Sequence, residues 1–254
     1  MHVMTEVKRP VLWNPREDRT IHAVWLGLFW VGILVGFGLD MKPFVHQTVP
    51  WIVYPHAAIY VGWLLLLTAQ VLLVMKDKVA LHRRLGKFSV GYAVLVVLLG
   101  PPTALAVVAA TAHAQGPSVL PPQFLAVNFV DVGGFAVMFA WAIAMRRNPA
   151  VHKRLILAAM VAFADPGFSR ITGNLMAEPK TMWPWFWWSF YGNVLLVVLM
   201  LAWDLWRYRR TVWQFAVGAG AVLASEVWAT AMYFDPAWKV SMSHLVVAWG
   251  KFMH

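Results

Sequence analysis

The chain has 254 residues, 61% of them hydrophobic and only 13% charged, with a mean hydropathy of +0.63. Soluble domains run near half apolar and about a quarter charged, so a soluble globular fold is excluded. The absence of Cys removes disulfides, Cys-bound zinc, iron–sulfur clusters and thiol catalysis.

A helix that crosses a bilayer needs about 20 mostly apolar residues. Runs of that kind, separated by charge, predict seven spans at about 21–39, 52–75, 88–112, 124–145, 155–172, 186–206 and 213–233. Residues 1–20 are mixed and charged and lack the design of a cleavable signal peptide, so they are expected to form a retained cytoplasmic arm. Residues 21–233 then make the transmembrane domain. Residues 234–254 place Trp238, Leu245, Val246 and Trp249 at helical spacing with Lys239 and Lys251 among them. That pattern predicts an extracytoplasmic amphipathic helix lying at the interface. The expected fold is all-α, a polytopic helix bundle.

Sixteen of the 21 Lys and Arg fall on one side of these spans. They are Lys8, Arg9, Arg16 and Arg19 in the arm, then Lys76, Lys78, Arg83, Arg84 and Lys87 in the second-to-third connection. The fourth-to-fifth connection adds Arg146, Arg147, Lys153 and Arg154, and the sixth-to-seventh Arg207, Arg209 and Arg210. The positive-inside rule puts the N-terminus in the cytoplasm, the C-terminus outside, and the chain in the cell's inner (plasma) membrane. The +10 charge is thus a topology signal, and nucleic-acid binding is excluded because the basic residues flank the membrane. Trp183, Trp185, Trp187, Trp188 and Tyr191 read as an outer aromatic belt, with Trp203, Trp206 and Tyr208 as its inner counterpart.

The two longer basic connections resemble each other. Met75–Leu85 and Met145–Leu155 lie 70 residues apart and share five identical positions, including a His at the start of the ascending span. This is an internal repeat of a helical hairpin, the kind of duplication that builds a site between its copies. It sets His82 and His152 at equal depth. Neutral imidazoles so placed are the axial ligands by which membrane cytochromes hold haem iron, and they are the candidate metal ligands here. His56, near the outer start of the second span, is the next candidate, with His113 as its level partner. Arg83 and Arg154 stand beside the two turn histidines and can neutralise haem propionates or a lipid phosphate. The same clusters also fit plain topology signalling with His bonded to headgroups. His2, His22, His46, His244 and His254 read as surface residues.

The residues His56, His82, Arg83, Gly86 and His152, and more loosely Arg170, carry a family resemblance over residues 56–171. The stretch resembles an uncharacterised family of bacterial multi-helix membrane proteins. Its members have a His early in one span, a His-Arg-x-x-Gly motif after it and a second His-Arg-like motif two spans later. The layout is distantly similar to b-type cytochromes and haem-handling membrane proteins, which implies haem b as a cofactor. The second motif departs from the pattern as His-Lys-Arg, and Lys87 stands where Arg is commoner.

Polar side chains inside spans are expensive and point to function. Asn128 and Asp131 lie in the fourth span, Asp165 and Arg170 in the fifth, Asn193 in the sixth, all in the outer half, and Glu226 in the seventh. Arg170 is expected to pair with Asp131 or Asp165, and Asp165-Pro166-Gly167 to break the fifth helix. Such a pocket suits a quinone headgroup, a small polar ligand or a proton path; a buried ion pair that only fixes helix register is the plainer possibility. No Gly-rich phosphate loop, Gly-x-Ser-x-Gly elbow or His-Glu-x-x-His motif occurs. The leading expectation is a haem b electron-transfer component that interacts with a quinone. The alternatives are a cofactor-free accessory subunit bound to partner subunits of a larger membrane complex, or a small-molecule or proton transporter using the outer polar pocket.

Overall fold

A computed structural model describes residues 15–44, 49–116 and 120–253. The first fourteen residues of the expected arm, with His2, His46 and His254, lie outside the described residues. The described chain is helical, without strands. Its helices are α1 (Pro15–Phe44), α2 (Val53–Met75), α3 (Val79–Gln115), α4 (Leu125–Ala144), α5 (Pro149–Leu175), α6 (Met182–Tyr208), α7 (Trp213–Phe234) and α8 (Pro236–Met253), with a 3-10 turn at Pro122–Phe124. Seven of them, α1 to α7, are long and apolar enough to cross a membrane. The protein is therefore a polytopic helical membrane protein. We call the end carrying the α2–α3, α4–α5 and α6–α7 connections the basic end, and the other the aromatic end.

The helices outrun the expected spans at their basic ends. α3 begins at Val79 where the apolar run starts near 88, and α5 at Pro149 where it starts near 155. Hydropathy misses these turns because they carry the Lys and Arg. Asn148 caps α5 by accepting from the Val151 N–H, and Pro149 occupies the first helical position, where its missing N–H is harmless. His82 and His152 are each the fourth residue of their helix, so the two turns share one register. α3 has 37 residues, about 55 Å of helix, and runs on through Pro101-Pro102.

α5 is the hub. Of its apolar window 67% is buried, against 17% for α2 on the periphery, and it packs against α1, α4, α6 and α7. Its buried face is built from Ala158, Ala159, Ala162, Ala164 and Gly167. Small residues let neighbouring backbones come close, the main source of packing energy where lipid offers no hydrophobic drive. The crossing with α1 is tightest. A Cβ on Gly36 would collide with the Gly167 carbonyl oxygen, and one on Gly167 would lie 2.8 Å from the Gly32 carbonyl oxygen.

α5 is not broken at Asp165-Pro166-Gly167, contrary to the expectation; it continues to Leu175 with Pro166 inside it. Pro166 removes one bond, that to the Ala162 carbonyl. In the next turn Ser169 Oγ donates to the Asp165 carbonyl (2.7 Å) and the Arg170 guanidinium to the Pro166 carbonyl. The glycine there serves close packing rather than a break. α8 sets Val246, Met242 and Trp249 against Leu105 and Val108 of α3, and Trp238 donates to the Gln123 carbonyl (3.2 Å).

Gly36→Ala is expected to destabilise the protein by about 1–3 kcal/mol through overpacking, read as a lower thermal unfolding midpoint in detergent. Gly38→Ala, whose side chain would meet open space, leaves the midpoint unchanged or slightly raised.

Candidate functional site

Two buried polar layers lie at different depths of the bundle. The layer in the aromatic half draws one side chain from each of four helices. These are Asp131 from α4, Asp165 from α5, Asn193 from α6 and Glu226 from α7, all buried. Asn193 Nδ2 donates to Glu226 Oε1 at 2.7 Å, which fixes that carboxyl and leaves Oε2 free. The three acids feel one another electrostatically: Asp131 interacts with both Asp165 and Glu226, and Glu226 with Asp165. Tyr60 of α2 adds its hydroxyl near Asp131 and donates to the Val96 carbonyl (3.1 Å).

What marks this layer is its unmet hydrogen bonding. Asp131 Oδ1, Asp165 Oδ1, Asn193 Oδ1, Glu226 Oε2 and Ser189 Oγ are buried with no hydrogen-bond partner. Buried polar atoms are normally satisfied, so orphans on four helices in one layer, with Ser189 one turn earlier on α6, call for an explanation. Recesses open between α1 and α6 and beside the α6–α7 turn, away from this layer.

The expected residues distribute unevenly around it. Asp131, Asp165 and Asn193 converge as the sequence suggests. Arg170 interacts electrostatically with Asp165, and its guanidinium lies 4.3 Å from the Phe37 ring centroid. Asn128 is half-buried three residues before Asp131 on α4. His56 stacks on Tyr60 (4.0 Å between centroids), which stacks on Phe163 (5.1 Å). His56 faces the Leu99 carbonyl. His113 lies 14 residues further along α3, about 21 Å, so the fold does not bring these two histidines together.

The second layer, at the basic end, escaped the sequence reading. Arg154 is wholly buried and donates to Asp204 through Nε (2.7 Å) and through a terminal nitrogen (2.5 Å). It also reaches Asp18 of α1 at 3.4 Å. Asp18, equally buried, accepts from Lys153 and from the Tyr208 hydroxyl (2.8 Å), and Thr211 donates to Asp204 (2.7 Å). Two acids and two bases thus compensate one another, the condition under which buried charge is tolerable. Asp18 belongs to a spanning helix rather than to an arm. His22, expected at the surface, is buried one turn above it with Nδ1 against the Asp18 carbonyl (2.6 Å). The one signal available was Asp204, an acid inside the expected sixth span.

The histidine pair sits at this same end. His82 and His152 are half-buried and near enough to interact electrostatically. His152 Nδ1 bonds the Ala142 carbonyl (2.7 Å). Gln70 accepts from the Gly86 N–H (3.0 Å) and Ser89 Oγ (3.1 Å) and turns its amide nitrogen to His82 Nδ1 (2.6 Å). Arg83 is exposed, whereas Arg154 is held by the two aspartates. Among the described residues no group of three His, Asp or Glu is arranged to hold a metal ion. No family model, curated protein or solved structure matches the chain, so the resemblance rests on its residues alone.

Arg154→Ala leaves the buried Asp204 carboxylate without a cation, while Asp18 keeps Lys153 and Tyr208, and is expected to cost about 3–5 kcal/mol. Arg83→Ala, on an exposed side chain, stays within about 0.5 kcal/mol. Thermal unfolding of the two purified variants in the same detergent checks the contrast.

Proposed function

We propose that this protein moves protons across the membrane, with the carboxyl layer of the aromatic half as its proton-carrying site. The observation that supports it is the set of three buried carboxyls from three helices, each with an oxygen free to accept a proton. Asp131 Oδ1 and Asp165 Oδ1 are open acceptors, with the Tyr60 hydroxyl beside Asp131. Glu226 is held by Asn193 through Oε1, so Oε2 is its proton-accepting atom. A proton arriving from the aromatic end binds one aspartate and passes within the layer to Glu226. In the orientation that the basic connections favour, the aromatic end faces outside and the membrane is the inner (plasma) membrane.

The apolar residues Phe29, Met160, Leu196, Met200 and Val222 separate this layer from the basic-end ion pairs. Asp165 lies 11 residues beyond Arg154 on α5, and Asn193 11 residues before Asp204 on α6, about 16 Å in each case. The His22 imidazole, one turn beyond Asp18, stands at the near edge of that gap, and passage across the rest requires the helices to move.

Proteoliposomes with a trapped pH-sensitive dye and an imposed gradient test the proposal. Wild-type protein should collapse the gradient, and Asp165→Asn and Glu226→Gln should each slow it by at least about tenfold while eluting as folded protein. Wild-type vesicles as tight as empty ones, or variants as fast as wild type, would overturn it.

The His82–His152 juxtaposition favours a second reading, haem b ligation with electron transfer to a quinone. An axial imidazole must present an unprotonated nitrogen. His152 Nδ1 bonds the Ala142 carbonyl, which leaves its Nε2 unprotonated; His82 presents Nε2 likewise where the Gln70 amide oxygen accepts from its Nδ1, and not where the amide nitrogen donates to it. A Soret band in the purified protein, lost in His152→Ala, would support that reading; colourless, iron-free protein ends it.

A further inference from the structure

We infer that α1 is the movable gate of this protein, clamped shut at the basic end by Asp18 and pivoting on its glycine crossing with α5. The inference rests on the proton reading only for what the gate admits. Three features along α1 carry it. At the basic end Asp18 takes three partners from two other helices: Lys153 and Arg154 of α5 and Tyr208 of α6. Some 14 to 18 residues further on, Gly32 and Gly36 meet Gly167 backbone to backbone. With the Phe168 ring seated on Gly32, this crossing is the fixed point about which the rest of α1 can swing. Between these points α1 and α6 are joined by Trp25 Nε1 donating to the Leu196 carbonyl (3.1 Å) and flank an apolar recess of about 320 Å³ lined by Val24, Trp25 and Leu28 on one side and Leu199, Met200 and Trp203 on the other.

The polar partners at the clamp divide by helix. Arg154 and Asp204 tie α5 to α6 and need nothing from α1. Asp18 adds α1 to that pair, and α1 is held besides by Arg19 to Asp77 (2.7 Å) at the α2–α3 turn and by the Trp25 bond to the Leu196 carbonyl of α6. Release of Asp18 therefore loosens the start of α1 from α5 while leaving the α5–α6 ion pair intact, which is how a latch differs from a general brace. On α5 at this level lies Ala158, one turn beyond Arg154 and wholly buried, and α1 itself turns His22 inward, with its Nε2 buried and without a partner. Swinging the end of α1 outward would open Ala158 to water, carry His22 with it and shorten the apolar gap below the carboxyl layer.

The chain has no Cys, so a single introduced thiol reports its own site without background. Ala158→Cys in detergent-purified full-length protein should resist a water-soluble maleimide. Adding Asp18→Asn, or Tyr208→Phe as the milder change, should raise its labelling by about tenfold or more, the effect of losing about 1.4 kcal/mol from the closed state. Ala126→Cys, buried at the aromatic end of α4, should stay unlabelled in the same backgrounds. Labelling of Ala158→Cys that is unchanged in folded Asp18→Asn and Tyr208→Phe protein would overturn the gate. So would equal gains at both cysteines, which indicate loosening of the whole bundle. Because labelling does not measure proton flow, a gate that opens in protein that moves no protons would leave the gate standing and the proton reading fallen.

Discussion

Arg154 sits wholly buried between Asp18 and Asp204, and the arrangement of the bundle follows from keeping that charge compensated. An uncompensated guanidinium in a low-dielectric interior is among the most costly arrangements a protein can adopt. Satisfying it fixes α6 beside α5 and draws the start of α1 over both. Once α1 is anchored there, its parallel course along α5 places Gly32 and Gly36 against Gly167. One ion network and one backbone contact thereby set the path of the helix that closes the basic end.

The contrast between the two polar layers carries the functional argument. At the basic end each carboxylate is matched by cations and donors, and its chemistry is that of a brace or latch. In the aromatic half three carboxyls meet with an amide and a phenol, and several of their oxygens accept nothing. Matched charge holds helices together; unmatched carboxyls are the groups to which the proposed reading assigns the proton. An apolar layer lies between them, so on that reading passage from one to the other depends on movement of the helices.

Much of the fold was legible in the sequence because a bilayer imposes simple rules. Run length gave the seven spans, and the misreadings lie at their ends, where Lys and Arg on the first turns of α3 and α5 hide helix from a hydropathy measure. Asp131, Asp165 and Asn193 were legible because an in-span polar residue is rarely idle. The basic-end network was not, since Asp18 and Arg154 are the same residue types that mark an arm and a cytoplasmic turn. Only burial distinguishes the roles. Gly32 and Gly36 stand four apart in plain view, but their partner Gly167 is far along the chain and sits where Pro166 suggests a break. His82 and His152 share a register as the repeat implies, yet their hydrogen bonds to Gln70 and Ala142 are tertiary facts.

The central claim is that the buried carboxyls change protonation as the protein works. Infrared difference spectroscopy of the reconstituted protein between two external pH values reads protonated carboxyl groups directly. A protonated-carboxyl band that responds to pH and to deuterium exchange is expected, with intensity lost in Asp131→Asn, Asp165→Asn and Glu226→Gln. A spectrum in which no such band changes with pH, or one unaltered by all three substitutions, would contradict it.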